Sequence, residues 1–386
     1  MSEYLGYIEK ELLQRSAYWT AKEITQQPSC WIKTHNIIQE NKSLIKTFMD
    51  NVYAHPTLRI ILTGAGTSAF AGQAIAPILS QQLKCRVEAI STTDLVSNPQ
   101  QYLAEDIPTL VVSFARSGNS PESVAAIELA NQCLSICYHL VLTCNEKGKL
   151  YKRCHEDQQS LAVLMPEETY DKSLAMTSSF SSMLLAAFLT LTYDTPLEKE
   201  VARLSECSMA LLNEINPKVC DIASLDCSRV VYLGSGALRG LAQESALKLL
   251  ELTAGKVVAC FDTPLGFRHG PKSVVNDQTI IIVMVSNDPY TRQYDLDLLA
   301  EIRRDNIALK IIALTAQLDE AVQEGEFVHV LGMESASDVE LLFPYMLFAQ
   351  TYAFHRSLAA GYTPDNPCPT GEINRVVQGV TIHKLY

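Results

Sequence analysis

The spacing of apolar residues changes along the chain, and each change predicts a different kind of element. Residues 4–50 read as helices. Trp31, Ile37, Ile38, Leu44, Ile45 and Phe48 recur at helical spacing as an apolar stripe. Thr20-Ala-Lys-Glu23 has the form of a capping box. From Leu58 the pattern turns to short continuous apolar runs, each closed by a turn. RIILTGAGTSAF is a strand, a Gly-rich turn and a helix start. VEAISTTDL is a further apolar run. TLVVSFARSGNSPES repeats the strand–turn–helix order, with the helix from Ser123, and YHLVLTCNE is another strand. Uninterrupted apolar strands alternating with helices predict a parallel sheet covered on both faces.

The same order then returns. RVVYLGSGALRG matches RIILTGAGTSAF, TIIIVMVSNDPYT matches TLVVSFARSGNSP, and LKIIALTA matches YHLVLTCN. The pairs Gly64/Gly234, Ser113/Ser286 and Thr143/Thr315 lie 170, 173 and 172 residues apart. An offset that drifts so little predicts two copies of one module. The expected fold is therefore α/β, with two tandem doubly wound parallel-sheet modules, each of three αβα layers. The expected division is an N-terminal helical arm (1–45), module one (46–200), a linker helix (201–217), module two (218–362) and a C-terminal tail (363–386). Each module is expected to end in an apolar helix, around Phe180–Tyr193 and Leu341–Ala360. The arm reads as a packing or dimer contact. The tail begins with Pro364, Pro367 and Pro369 and is expected to wrap across the surface.

Composition narrows the functions open to such a chain. Its 386 residues are 47% apolar and 19% charged, which describes a folded protein with room for two domains. The net charge of −12 argues against nucleic acid as a partner. It leaves open a small phosphorylated ligand, which needs only a local cluster of donors. The first residues carry Glu3, Glu9 and Glu11 among apolar ones and do not read as a signal peptide. The longest apolar stretches are too short or too interrupted to span a bilayer, so no membrane partner is expected. Eleven cysteines, without a CxxC pair, read as reduced thiols in a cytoplasm rather than disulfides or a zinc site.

Candidate chemistry concentrates in three places. Leu241–Ser273 reads as a helix ended by Gly255, then a Gly/Pro-shaped loop. Glu244, Lys248 and Glu251 fall on one helix face, and the loop carries Arg268, His269 and Lys272. That arrangement suits an acid/base pair for a small anion; it equally suits an i,i+4 salt bridge followed by an exposed turn. In module one, Gly64-Ala-Gly-Thr-Ser68 and Ala115-Arg-Ser-Gly-Asn-Ser120 fall beyond the carboxyl ends of strands, where open α/β sheets bind ligands. Both offer backbone amides and hydroxyls suited to phosphate. Neither is a P-loop, and Gly64-x-Gly66 lacks the third glycine of a dinucleotide fingerprint. Module two lacks these hydroxyls. The third place is Lys172–Phe180, where Thr177 reads as a helix N-cap and Ser173 as a candidate to support a ligand.

Taken together, GTS after the first strand, SGNSPES after the third, and ESALKLLELTAG…FRHGP in the second copy resemble the sugar isomerase (SIS) family over residues ~46–380. ILTGAGTSAF, TTDLV, SGNSPESVA, AMTSS, GFRHGPKS, PYTRQYDLDLL and NRVVQGV are similar to its galactosamine-6-phosphate deaminase/isomerase branch, formerly labelled tagatose-6-phosphate ketose/aldose isomerase. The resemblance implies that Ser68, Arg116, Ser117 and Ser120 hold a sugar phosphate and that Gly66, Thr67 and Asn119 shape that pocket. It implies that Glu251 moves a proton between C2 and C1, and that His269 opens the sugar ring, in relatives sometimes from a neighbouring subunit. The family's glucosamine-6-phosphate synthase forms an imine through a tail lysine; the aligned position here is Gln378, which argues against amination by that route. No glutaminase domain precedes the modules, so no ammonia source is expected within the chain.

The expected activity is isomerising deamination of galactosamine 6-phosphate, without cofactor or metal, by a cytoplasmic homo-oligomer of at least two chains. Two alternatives stay open at this point: a phosphosugar aldose/ketose isomerase without deamination, and a non-catalytic sugar-phosphate sensor. Lys172, Glu244, Arg268, Lys272 and His383 read as ion pairs or solvated surface.

Overall fold

The computed structural model describes residues 3–371, 374, 375, 377 and 379–385. Twelve strands occur among them: β1 (Glu3–Tyr4), β2 (Tyr7–Ile8), β3 (Arg59–Thr63), β4 (Arg86–Ala89), β5 (Thr109–Ala115), β6 (Cys137–Thr143), β7 (Ser160–Leu164), β8 (Arg229–Gly234), β9 (Val258–Asp262), β10 (Thr279–Met284), β11 (Lys310–Thr315) and β12 (Phe327–His329). They build two five-stranded sheets, ordered β4-β3-β5-β6-β7 and β9-β8-β10-β11-β12, with every pairing parallel. Both sheets place their first strand between the second and the third. The order therefore reverses at β3/β5 in one copy and at β8/β10 in the other. The repeat read from the sequence is thus a repeat of topology.

The chain divides into two compact units. One comprises Met1–Pro28, Lys172–Ala175 and Ala202–Glu372; the other comprises Ser29–Asp171, Met176–Val201 and Ile373–Tyr386. The central strands β3, β5 and β10 are buried along their whole length. That is why they read as continuous apolar runs with no alternation. In the first-module unit, Ile61, Val111, Ala126 and Leu129 meet in one core cluster. In the other unit, Val231, Ile281, Val283, Leu298 and Ile302 do the same. The apolar helices Ser178–Leu191 and Asp338–Ala359 close their modules by packing on the first helix of each, Thr67–Leu83 and Ala237–Leu252.

Four local expectations change. The chain opens with a β1–β2 hairpin rather than a helix, turning through Leu5 and Gly6 at φ 52° and 81°. Two consecutive left-handed residues suit the right-handed strand twist. Thr20 does not begin a helix but lies inside Tyr18–Thr25. Asp365 supplies the cap instead, accepting from the Trp19 and Thr20 amides at 3.1 and 2.8 Å and from the Thr20 hydroxyl at 2.8 Å. The helix carrying Glu251 stops at Leu252, three residues before Gly255; Ala254 already has φ 46°. Finally, one helix, Glu198–Ser224, occupies and overruns the segment read as the linker.

Candidate active site

Beyond the carboxyl end of β3, the chain must turn sharply enough to start the Thr67–Leu83 helix. Gly64 makes this possible, because a Cβ there would lie 2.5 Å from Ser68 Cβ and 2.6 Å from its carbonyl carbon. Gly66, at φ 55°, is the N-cap and brings no side chain to the first turn. Thr67 and Ser68 follow, both buried. The Ser68 hydroxyl donates to the soft Met176 sulfur at 3.8 Å. Beyond β5, Arg116 and Ser117 are buried as well. The Asn145 amide donates to the Ser117 carbonyl at 2.8 Å, and the Ser117 hydroxyl accepts from the Asn119 N–H at 3.3 Å. Asn119 is exposed, and its side-chain oxygen accepts from the Lys149 amide at 3.1 Å. Ser120 precedes Pro121 at the start of the Pro121–Cys133 helix, again without a side-chain cap.

Because β3 and β5 are direct neighbours in register (Thr63 opposite Ser113), these two turns flank one crevice at the point where the strand order reverses. The structure therefore brings together Gly66, Thr67, Ser68, Arg116, Ser117, Asn119 and Ser120. Two helix N-termini, several hydroxyls and one arginine are the donor set that a phosphate monoester needs. Near the carboxyl ends of β3, β4 and β5, the Thr63, Thr92 and Ser113 hydroxyls are buried and have no partner among the described residues.

The acid/base candidates belong to the other unit. Glu251 is the penultimate residue of the Ala237–Leu252 helix, with a fifth of its side chain exposed. Lys248, only 1% exposed, pairs with Glu251 one turn on and lies 3.5 Å from the equally buried Glu244. The acid–base–acid ladder predicted by the spacing exists, but its middle cation is buried. Charge enters a core only when it is paired. His269 lies on the loop after β9, its ring exposed and its amide donating to the Gly266 carbonyl at 2.9 Å. The loop is held by its own ion pairs. Arg268 donates to Glu301 at 2.8 Å, and Lys272 pairs with both Glu301 and Asp305. The Asp305 and Glu301 carboxylates raise the Lys272 ammonium above its ordinary value. The cationic loop of the sequence is thus neutralised locally by Glu301 and Asp305.

Ser173 is completely buried. Its hydroxyl donates to Glu23 and contacts the Ala175 carbonyl at 3.0 Å, and its amide donates to Glu23 at 3.3 Å. This is a seat inside the fold, and it groups with the Glu251 unit rather than with the phosphate turns. Gln378 lies outside the described residues. Thr177 occupies the N-cap position of the Ser178–Leu191 helix but does not cap it with its side chain. Asp171 does, accepting from the Thr177 and Ser179 amides at 2.9 Å and from the Ser178 and Ser179 hydroxyls. Neither Asp171 nor Arg375, whose carbonyl accepts from Arg116 Nη2 at 2.6 Å, stood out in the sequence. A carboxylate four residues ahead of AMTSS was the available signal for the first.

The SIS domain model matches residues 54–193 and 225–362. D-galactosamine-6-phosphate deaminase AgaS of Escherichia coli is 49% identical over 368 residues, covering 95% of each chain. The protein of that name from Shewanella sp. (strain ANA-3) is 46% identical over 380 residues, covering 97% of this chain and 94% of its own. The crystal structure of tagatose-6-phosphate ketose/aldose isomerase from Escherichia coli superposes with a TM-score of 0.90 at 45% identity, covering 95% and 97% of the two chains.

Proposed function

The chain belongs to the SIS domain family, and from that premise we propose that it is an amino-sugar-phosphate deaminase/isomerase acting on D-galactosamine 6-phosphate. The observation that carries the reading is the ladder on the Ala237–Leu252 helix, which presents one partly exposed carboxylate, Glu251, against a buried, paired lysine. Relatives 46–49% identical along nearly their whole length bear the deaminase name.

In this reading Ser68, Arg116, Ser117 and Ser120 hold the phosphate, within a pocket shaped by Gly66, Thr67 and Asn119. His269 assists ring opening, a proton transfer suited to imidazole near neutral pH. Glu251 removes the C2 proton of the open-chain aldehyde, giving an enolamine, and returns the proton to C1. The product is the C2 ketimine of the ketose. Water adds to it, the C–N bond breaks, and D-tagatose 6-phosphate and ammonia leave. Lys248 fixes the direction of the Glu251 carboxylate through these steps. The reaction belongs to amino-sugar catabolism in the cytoplasm, carried out by a homo-oligomer of at least two chains.

The isomerase name of the solved Escherichia coli relative favours a second reading, aldose/ketose isomerisation without loss of nitrogen. Incubating the purified protein with galactosamine 6-phosphate and following ammonium and ketose 6-phosphate together separates the two. Equal appearance of both supports deamination. Absence of ammonium, with interconversion of tagatose 6-phosphate and galactose 6-phosphate, supports the isomerase.

A further inference from the structure

The C-terminal tail meets the first-module crevice at Arg375. Arg375 accepts a hydrogen bond on its backbone carbonyl from Arg116 Nη2 at 2.6 Å. Its own guanidinium donates to the backbone carbonyl of Asp171 and lies 4.7 Å from the centre of the Tyr170 ring. Asp171 in turn is wholly buried, and its carboxylate holds the first turn of the Ser178–Leu191 helix. The tail is thus pinned by a side chain to a rigid helix start, and its main chain presents an acceptor to Arg116. The charge of Arg375 is drawn onto a ring face and a carbonyl, while Arg116 takes the neutral carbonyl of Arg375.

The geometry points to Arg375 as a positioning residue for phosphate binding. It anchors the tail so that its carbonyl fixes the Arg116 guanidinium in the orientation that receives the phosphate. The inference rests on the phosphate reading of Arg116. A guanidinium already held in place gives up less side-chain freedom when it binds, so the anchor acts on affinity rather than on the chemical step.

The test is a double-mutant cycle, read as the dissociation constant for inorganic phosphate and as KM and kcat for galactosamine 6-phosphate. Arg375→Ala is expected to weaken phosphate binding and raise KM about tenfold, the scale of one hydrogen bond to a charged group, with kcat little changed. In an Arg116→Ala background the same change is expected to do almost nothing, because the side chain it orients is gone. Arg375→Lys, which can still donate to Asp171, is expected to recover part of the loss. Tyr170→Leu leaves Arg375 in place and removes only the ring contact; it is expected to weaken binding two- to fivefold, also only when Arg116 is present. Full additivity of Arg375→Ala and Arg116→Ala overturns the inference, as does a fall in kcat with unchanged KM. If Arg116→Ala itself leaves phosphate binding intact, the phosphate reading fails, and this inference fails with it.

Discussion

The two modules share one topology but fill their crevices differently. At β3/β5 the strand ends carry Thr63 opposite Ser113, followed by turns rich in hydroxyls. At β8/β10 the same register pairs Leu233 with Val283, so the counterpart of Ser113 is Val283 and not the Ser286 expected from the sequence. Gly64 and Gly234 do the same work, since a Cβ at either would come within 2.6 Å of the backbone one turn on. What differs is the anion. In the second crevice the chain provides it: Asp295 accepts from the Ser235 hydroxyl at 2.6 Å and the Ser286 amide at 3.0 Å, while Asp338 accepts from the Ser286 hydroxyl at 2.6 Å and the Asn287 amide at 2.9 Å. Arg292 braces that turn through the Ser286 carbonyl and Asp319, where the first module has Val124. In the proposed reading, the first crevice leaves these roles to the substrate phosphate. A duplicated fold has kept its scaffold in both copies and closed one of its two binding points with its own carboxylates.

The largest effect is expected at Glu251, the base of the proposed mechanism. Glu251→Gln keeps the size of the side chain and removes its basicity, so turnover is expected to fall by roughly 10²–10⁴ while phosphate binding persists. Near-normal kcat in that variant would move the base elsewhere. Next comes the brace. Arg292→Ala strips a buried guanidinium from Asp319 and two carbonyls, and is expected to cost about 3 kcal/mol of stability by denaturant unfolding. Val124→Ala, its counterpart, is expected to cost about 1 kcal/mol. Equal losses at the two positions would mean that the crevices are held open and shut by the same forces.

Much of this contrast was legible in the sequence, and the reasons for the rest are physical. Strand runs such as RIILT and TIIIVM are buried on both faces, so their apolar continuity was a direct readout. The turns were legible because glycine and hydroxyl spacing is local. The caps were not. Thr20-Ala-Lys-Glu23 satisfies a local rule, yet Asp365 and Lys172–Ser173 take its two ends across long sequence separations. Asp295 is likewise silent in PYTRQYDLDLL, because one more acid on a helix reads as surface until the partner strand ends are in place.

That buried acid gives the third prediction. Loss of hydration raises the Asp295 carboxyl from the ordinary 3.8 to about 6, with Asp338 adding to the rise and Ser235, Ser286 and Arg292 opposing it. The folded state therefore holds this proton more tightly than the unfolded chain does. Its contribution to stability is complete below about pH 4 and is lost as pH rises through 6. Asp295→Asn can accept from the Ser286 amide and donate to the Ser235 oxygen, so it keeps both contacts without a charge. Relative to the wild type, this variant is expected to gain on the order of 2 kcal/mol between pH 4 and pH 7. A wild-type-minus-variant difference that is flat with pH would show that the second crevice holds no costly charge.

The smallest effect tests whether the first crevice is the one that depends on its ligand. Ser117→Ala removes a hydroxyl that accepts a long, 3.3 Å hydrogen bond from the Asn119 amide, so the folded protein loses little. A bound phosphate loses one donor, and KM is expected to rise severalfold to about tenfold with kcat nearly unchanged. Ser286→Ala is the matched change in the second crevice. Its hydroxyl donates to Asp338 at 2.6 Å and accepts from the Asp288 amide at 3.0 Å. Stability is therefore expected to drop by about 1–2 kcal/mol, with KM unmoved. The pair forms a crossed design in which each serine changes one observable and spares the other. If Ser286→Ala raised KM, or Ser117→Ala lowered the melting temperature without touching KM, the ligand and the internal carboxylates would have exchanged places between the modules.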